Sequence, residues 1–507
     1  MIPLLSREAV RALDADAVAR LGVPSSILME NAGRGAFEEI VRRYPDRLSR
    51  TVIVGGVGQN GGDAWVIARH MFLRGQRPRC FLLGERAKVR GDAAPNLQAI
   101  ETLLGPVAVL TEQDLAAALA DAALIVDGVF GTGLDRPIEG LGAAVIERIN
   151  RADAVRVALD IPSGIDANSG KVLGVAVRAE LTLTFAAHKR GLHQHPGAAH
   201  AGDVVLVGIG VPAPARTAFS ADEPEYAAIE ASDVRGLLPL RAADAHKGRG
   251  GHVLVVAGSP GRTGAAVLSG QGAMRAGAGL VTLCPRAGAR AALDAKVLEI
   301  MTSDMPADLD AAVAHVVAEI KAKHSAVVGP GLGTDEEGSK LAERLALELT
   351  APCVLDADAL TAFRGRAADL RKAAGPRVLT PHPAEAARLL GASTEAVQAD
   401  RYASALRLAA ESGAVVVLKG ARTVVATPAG RIRVCPLDVP ALAVAGTGDV
   451  LTGITAALLA QLPAAEAALA AVYLHAAAGG HAAIADRGLL AHEVADAVPH
   501  VLAALRS

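Results

Sequence analysis

Two stretches of this chain set bare glycine backbone beside isolated acids, and each spacing fits a particular chemistry. Residues 56–61 read GVGQNG, matching G-x-G-x-x-G directly after the apolar run TVIVG. Such a loop lets a phosphate approach backbone N–H groups at a helix start. Further on, ALIVDGVFGTGLDRP ends an apolar run at Asp127, and AVRVALDIPSGIDANSG ends another at Asp160, with Ser163 just beyond. Asn60, Asp127 and Ser163 together offer amide, carboxylate and hydroxyl oxygens. That hard set suits an alkali or alkaline-earth cation rather than zinc. Asp127 and Asp160 fit equally well as caps of the helices that follow their strands. In the second half, AVAGTGDVLTG places Gly446, Thr447 and Gly448 before a helix starting near Asp449. Amides there can stabilise a transferring phosphoryl group, with Asp449 as base toward the attacking hydroxyl. An ordinary acid in a helix's first turn is the competing reading.

The glycine pattern alone does not make a dehydrogenase. With 53 glycines in 507 residues, it should arise by chance about once per chain. A nicotinamide fingerprint also needs an acid about 20 residues on, at the end of the second strand. The nearest candidate is Glu85, followed at once by Arg86. That is a loose fit.

The elements that must position these residues are legible from hydropathy. Short β-rich runs (TVIVGG, RCFLLG, ALIVDG, AVRVALD, VVLVGIG, then GHVLVVAGS, GLVTLC, SAVVGPGLG, CVLDADAL, RVLTPHP, AVVVLKG) alternate with helical stretches. Continuous apolar strands alternating with helices predict α/β domains with parallel sheets covered on both faces. In such a sheet the carboxyl ends of neighbouring strands converge on one crevice. A proline- and alanine-rich stretch predicts a linker at 216–230, dividing residues 1–215 from 231–507. RTVVATPAGRIRVCP alternates around a turn and predicts a β-hairpin at the sheet edge.

Composition narrows the function. A net charge of −2 argues against a general polyanion binder, and one Trp, four Tyr and seven Phe leave few stacking platforms, so no nucleic-acid partner is expected. Cys80, Cys284, Cys353 and Cys435 lie far apart without C-x-x-C, favouring a reducing, cytoplasmic setting over a zinc or disulfide framework. The most apolar tract is broken by Gln461, Pro463, Glu466, His475 and His481 and reads as buried alanine-rich helices, not a membrane span. His188, His193, His195 and His200 cluster in HKRGLHQHPGAAH without a supporting acid group, which reads as a solvated or rim loop.

MENAGRG, GQNGGDAW, VDGVFGTGLDRP and LDIPSGIDANSG, in this order, resemble the epimerase domain of the NAD(P)H-hydrate repair enzymes. The resemblance covers residues 1–215 and implies a Rossmann-like doubly wound fold. It implies that Gln59, Asn60, Gly61, Gly62 and Asp63, with Gly131, Thr132, Gly133, Leu134, Asp135, Arg136 and Pro137, hold the hydrated dinucleotide. It further implies potassium (K+) on Asn60, Asp127 and Ser163, and Asp160 as substrate contact and acid–base group. Gln59 and Ala64 depart from the usual asparagine and glycine.

HKGRGGHVLVVAGS, GAAVLSGQGAMRAGAGLVT, GPGLGT, LDADAL, TPHPAE, KGARTVV and AGTGDVLTG are similar to the ribokinase-like dehydratase domain of the same family. This implies that Ala266, Gly333, His382 and Asp449 contact the hydrate, and that Lys419, Gly420, Ala421, Arg422, Thr423 and Gly448 bind ADP or ATP. Magnesium (Mg2+) is expected with the nucleotide, and Glu385 suits an outer contact with it. No G-x-x-x-x-G-K-[ST] occurs, so this is not a P-loop enzyme. The expected enzyme is a homo-oligomer. It interconverts the R and S hydrates of NADH and NADPH and dehydrates the S form at the expense of ADP or ATP. The alternatives are a vitamin-precursor or sugar kinase fused to a non-catalytic dinucleotide-binding module and, last, a dehydrogenase.

Overall fold

The computed structural model describes residues 1–212, 225–241, 244 and 246–506. The chain divides into two compact units, Pro3–Asp222 on one hand and Met1–Ile2 with Glu223–Ser507 on the other.

In the first unit a parallel sheet runs, edge to edge, Ala108–Val109, Arg79–Leu82, Thr51–Gly55, Leu124–Gly128, Val155–Leu159, Leu181–Phe185 and Asp203–Val207. Successive residues of one strand enter different cores. Ile53, Val126 and Val157 pack with Trp65 and Ile67, whereas Val52, Val54 and Ile125 pack with Val145 and Ile149. Both faces are thus covered, as a parallel sheet requires. A separate short parallel pair joins Leu4 to His188 and Leu5 to Lys189.

In the second unit the strand order is Met301–Thr302, Leu280–Leu283, His252–Val256, Ser325–Val328, Cys353–Leu355, Arg377–Leu379, Val415–Leu418, Val424–Ala426, Arg431–Val434 and Glu225–Ala228. Neighbours are parallel except around Val424–Ala426, which is antiparallel to both of its neighbours. The predicted hairpin therefore exists but is not an edge. Glu225–Ala228 pairs in parallel with Arg431–Val434 and covers it. That strand lies within the predicted linker, whose residues 216–224 are outside the described residues. Tyr226, Ala227 and Ala228 are buried, and their apolar side chains give the segment a place in the sheet.

The apolar C-terminal tract forms the helices Thr447–Leu459 and Ala464–Ala482, both packed into the second core. Among the described residues no helix is long and apolar enough to cross a membrane. Thr447–Leu459 crosses Thr263–Arg275 closely because a glycine faces backbone on each side. A Cβ on Gly272 would lie 2.5 Å from the Val450 carbonyl oxygen, and one on Gly453 would collide with that of Ser269. This crossing brings the helix carrying Asp449 against the one carrying Ala266.

Candidate active sites

In the first unit, Gly58 caps the helix Gln59–Leu73, which starts where the strand Thr51–Gly55 ends. The two outer glycines of the pattern fit against each other. A Cβ on Gly61 would collide with the Gly56 carbonyl oxygen, and one on Gly56 with that of Val129. The turn closes only without side chains there. Beside it opens a cavity of about 690 Å³, within the range of small-molecule sites. Gln59, Asn60, Asp63, Gly131, Thr132, Gly133, Leu134, Asp135, Arg136 and Asp160 line it, and Gly61, Gly62 and Pro137 do not.

Asp160 follows the strand Val155–Leu159 with φ 63°, left-handed backbone that a non-glycine residue adopts only when its surroundings impose it. Its amide donates to the Leu183 carbonyl oxygen at 2.8 Å, and its Oδ1 accepts from the Phe185 amide at 3.2 Å. The same oxygen is ion-paired with Lys189 Nζ, whose side chain is fully buried. Lys189 also donates to Phe185 O at 2.7 Å and to Thr184 Oγ1 at 3.0 Å. Asp63 and Asp14 also line the cavity. Burial, then the charges of Asp160 and Asp14, push the Asp63 carboxyl well above its ordinary value.

Asp127 and Ser163 lie beneath the cavity, wholly buried. Asp127 Oδ1 accepts from Ser163 Oγ at 2.6 Å and from the Val129 amide at 3.2 Å, and Oδ2 accepts from the Ser163 amide at 2.9 Å. Burial still raises its carboxyl to about 6. The Asn60 amide is buried with neither its oxygen nor its nitrogen hydrogen-bonded, and a Cβ on Gly131 would lie 3.4 Å from its Cγ. An orphaned amide oxygen, an under-compensated carboxylate and a hydroxyl fit a monovalent cation. Among the described residues no group of three His, Cys, Asp or Glu could hold a metal ion.

The predicted solvated or rim histidine loop is corrected at His188 and His193, while His195 and His200 are half-buried. His188 and His193 are buried and their rings meet through Nδ1 and Nε2 at 3.0 Å. The reason is Lys189 between them, whose pairing with Asp160 draws the segment inward.

In the second unit the acids and bases meet at the carboxyl ends of the sheet. Lys419, after Val415–Leu418, pairs with Asp356 Oδ1 at 2.7 Å and lies 3.9 Å from Glu385 Oε2. Asp356 Oδ2 accepts from Thr452 Oγ1 at 2.8 Å. A Cβ on Gly448 would lie 3.4 Å from Lys419 Nζ, which sets the Gly446–Gly448 loop beside the lysine. Burial alone would lower the Lys419 ammonium, but Asp356 and Glu385 outweigh it and its pKa is raised. Burial, then the Asp356 charge, raises Asp449 to about 7, against the opposing pull of Lys419. Gly446, with φ 92°, caps the helix Thr447–Leu459, whose first-turn amides Asp449 shares. His475 Nε2 lies 2.9 Å from the Thr447 carbonyl oxygen.

Two family descriptions match in succession, YjeF-related protein N-terminus over residues 25–191 and NAD(P)H-hydrate dehydratase over 253–500. The bifunctional NAD(P)H-hydrate repair enzyme Nnr of Moorella thermoacetica is 40% identical over 507 residues, covering 97% of this chain and 94% of the relative. The chain belongs to the bifunctional NAD(P)H-hydrate repair enzymes. Another member, from Coxiella burnetii, is 37% identical over 95% of this chain and 96% of its own. The crystal structure of an ADP/ATP-dependent NAD(P)H-hydrate dehydratase from Bacillus subtilis, co-crystallised with ATP/Mg2+, is 33% identical over 54% of this chain and 97% of that one, with a TM-score of 0.49.

In this repair-family chain Gly333 is set apart from the other residues predicted to contact the hydrate. Gly333 lines a cavity of about 690 Å³ with Arg262 and Arg286, but Ala266, His382 and Asp449 do not. Gly333 is linked back through its amide, which donates to Asp358 Oδ2 at 2.8 Å. His382 caps the helix Pro383–Leu390 through Nδ1, while Glu385 Oε2 accepts from its amide at 2.8 Å. Burial, then Lys419, lowers the His382 ring. In the predicted nucleotide segment, Arg422 is held by Asp438 at 2.8 Å and Thr423 Oγ1 donates to Gly420 O at 2.9 Å. Sequence reasoning missed Asp14, Lys189, Asp356, Thr452 and His475. Only Asp356 had a signal, its place at a strand end in LDADAL.

Proposed function

We propose that the first unit epimerises the R and S hydrates of NADH and NADPH and that the second dehydrates the S form at the expense of ADP or ATP, regenerating NAD(P)H. The observation that carries this is one carboxyl site per unit, Asp160 and Asp449, each at a strand-end crevice and each beside a lysine, fully buried Lys189 in the first and partly buried Lys419 in the second. Residues 1–215 form the first of the corresponding domains, and the second, expected over 231–507, also takes in the strand Glu225–Ala228. Asp160, with Gln59–Asp63 and Gly131–Pro137, holds the hydrate in the first. Asn60, Asp127 and Ser163 would hold potassium, whose charge offsets the buried carboxylate. The cysteines, three buried and one half-buried, are all free, in keeping with a reducing cytoplasm.

In the first site the substrate hydroxyl sits on the carbon next to the ring nitrogen. Loss of that hydroxyl as water leaves a nitrogen-stabilised cation, and water re-enters on either face. Asp160 moves the proton in this exchange.

In the second site hydroxide is a poor leaving group and phosphate a good one. Asp449 takes the hydroxyl proton, the Gly446–Gly448 amides stabilise the transferring phosphoryl group, and phosphate then departs. Lys419–Thr423 and Gly448 would face the nucleotide, and Ala266, Gly333 and His382 the hydrate. Magnesium would enter with the nucleotide, whose phosphates it would neutralise, and Glu385 beside Lys419 suits an outer contact with it.

The test supplies mixed hydrates with each nucleotide, potassium and magnesium, and follows recovery of reduced-nicotinamide absorbance. Mass spectrometry should find inorganic phosphate and intact NAD(P)H. A stable phosphorylated product would mean a kinase instead.

A further inference from the structure

The first cavity holds a carboxyl group that the reading above leaves unused. Asp14 sits on the helix Arg7–Ala19 and lines the cavity wall together with Asp63, Asp160 and Lys189. Its Oδ1 is buried and has no hydrogen-bond partner among the described residues. Asp160, in the same space, receives Lys189 and the Phe185 amide. Two aspartates on different elements therefore meet one cavity in opposite environments, one as the anion of an ion pair and the other without a donor. A carboxyl denied donors and set beside another carboxylate favours its neutral form. Burial first, then the Asp160 charge, pushes Asp14 up, with Lys189 opposing. The other charged groups of the wall are Arg11, Asp92, Asp135 and Arg136.

We infer that Asp14 is a second proton-handling residue of the epimerase site, acting as the acid where Asp160 acts as the base. The inference rests on the proposed epimerase activity. The Asp14 carboxyl proton passes to the substrate hydroxyl, the C–O bond breaks with its electron pair leaving on water, and the ring-nitrogen lone pair forms the C=N bond of the cation. Water then adds to that carbon, and the proton it sheds goes to the Asp160 carboxylate. The reverse turnover, or exchange with solvent, returns both groups to their starting states. No oxidant or co-reactant is needed. Pairs of titratable groups with opposed environments commonly divide acid and base roles in this way.

The experiment uses the full chain with Asp14→Asn and Asp14→Glu, R hydrate as substrate, and chromatographic measurement of S hydrate against pH. The Asn variant should lose at least about 100-fold in kcat, the usual scale of an acid–base group, with KM little changed. Wild-type kcat should fall as pH rises through the Asp14 titration, and the Glu variant should recover at least about tenfold over Asn by restoring a titratable acid. An Asn variant that keeps wild-type kcat and the same alkaline decline overturns the assignment, as does a Glu variant no better than Asn. If the wild-type chain leaves R hydrate unchanged while still dehydrating S hydrate, the epimerase reading itself fails, and this inference with it.

Discussion

Lys419 Nζ lies 2.7 Å from Asp356 Oδ1, so the ammonium expected to meet nucleotide phosphates is anchored before any ligand arrives. Asp356 is itself fixed by Thr452, on the helix that carries Asp449. The strand end, the lysine and the helix Thr447–Leu459 are thus one hydrogen-bonded unit. Replacing Lys419 with Met leaves Asp356 buried without its cation. Breaking a buried pair in this way costs about 3–5 kcal/mol. Dehydration should fall at least about 100-fold, and denaturant unfolding should show the weakened second unit.

Asp449 sits at about 7, raised by burial and then by Asp356. A base must be deprotonated to act, so kcat/KM for dehydration, which reports the free enzyme, should rise with pH through a midpoint of about 7 and then level off. Asp449→Ala should remove dehydration while R and S hydrates still interconvert. A pH-independent rate, or loss of both activities, would contradict this assignment.

The legible part of the site is its backbone. GVGQNG, the ends of ALIVD and AVRVALD, and AGTGD could be placed because strand-to-helix junctions leave a glycine or acid at a fixed position in the chain. The strand Leu181–Phe185 was missed because LTLTF alternates with threonine, although both threonines are buried and hydrogen-bonded. Glu225–Ala228 was missed because four residues beside a proline-rich stretch carry too little pattern. Asp14, Lys189 and His475 could not be found from spacing, since the groups that matter to them here, Asp160 for the first two and Thr447 for the last, lie more than 25 residues away. Four of the five non-glycine residues with positive φ among the described residues, Asp160, Ala186, Ala357 and Arg422, lie in or beside the two sites. Nothing in local sequence propensity announces that strain.

His475 is buried, and burial lowers its pKa to about 4. It is therefore neutral near pH 7, and Nε2–H donates to the Thr447 carbonyl oxygen. The unfolded state takes up a proton near the ordinary value of 6.5, while the folded state resists until about 4. This group's contribution thus makes the second unit less stable as pH falls across that window. His475→Phe should loosen the phosphate loop, raising KM for nucleotide and lowering kcat about tenfold, the scale of one hydrogen bond. His475→Gln, which keeps a donor, should recover part of both.

Asp160→Asn should abolish interconversion of the hydrates, because the amide cannot exchange a proton with water. Dehydration of purified S hydrate should continue at the wild-type rate. The buried Lys189 ammonium loses its counter-charge in this variant. The thermal transition of the first unit should therefore fall, by a margin corresponding to about 3 kcal/mol. Unchanged epimerisation would remove Asp160 from the mechanism.

The buried Asn60 amide makes no hydrogen bond, and Asp127 carries more burial than its three donors compensate. A bound potassium ion would satisfy the first and neutralise the second, stabilising the folded first unit by mass action. Its thermal midpoint should therefore rise with potassium concentration at constant ionic strength, and rise much less with lithium, whose hydration shell costs more to remove. Asn60→Leu removes the orphaned oxygen and should abolish the potassium dependence. The same apolar side chain relieves an unsatisfied buried amide, so the variant should not be less stable than wild type in potassium-free buffer. A midpoint indifferent to potassium in the wild-type chain would exclude a specific cation site here, whatever the rate of epimerisation.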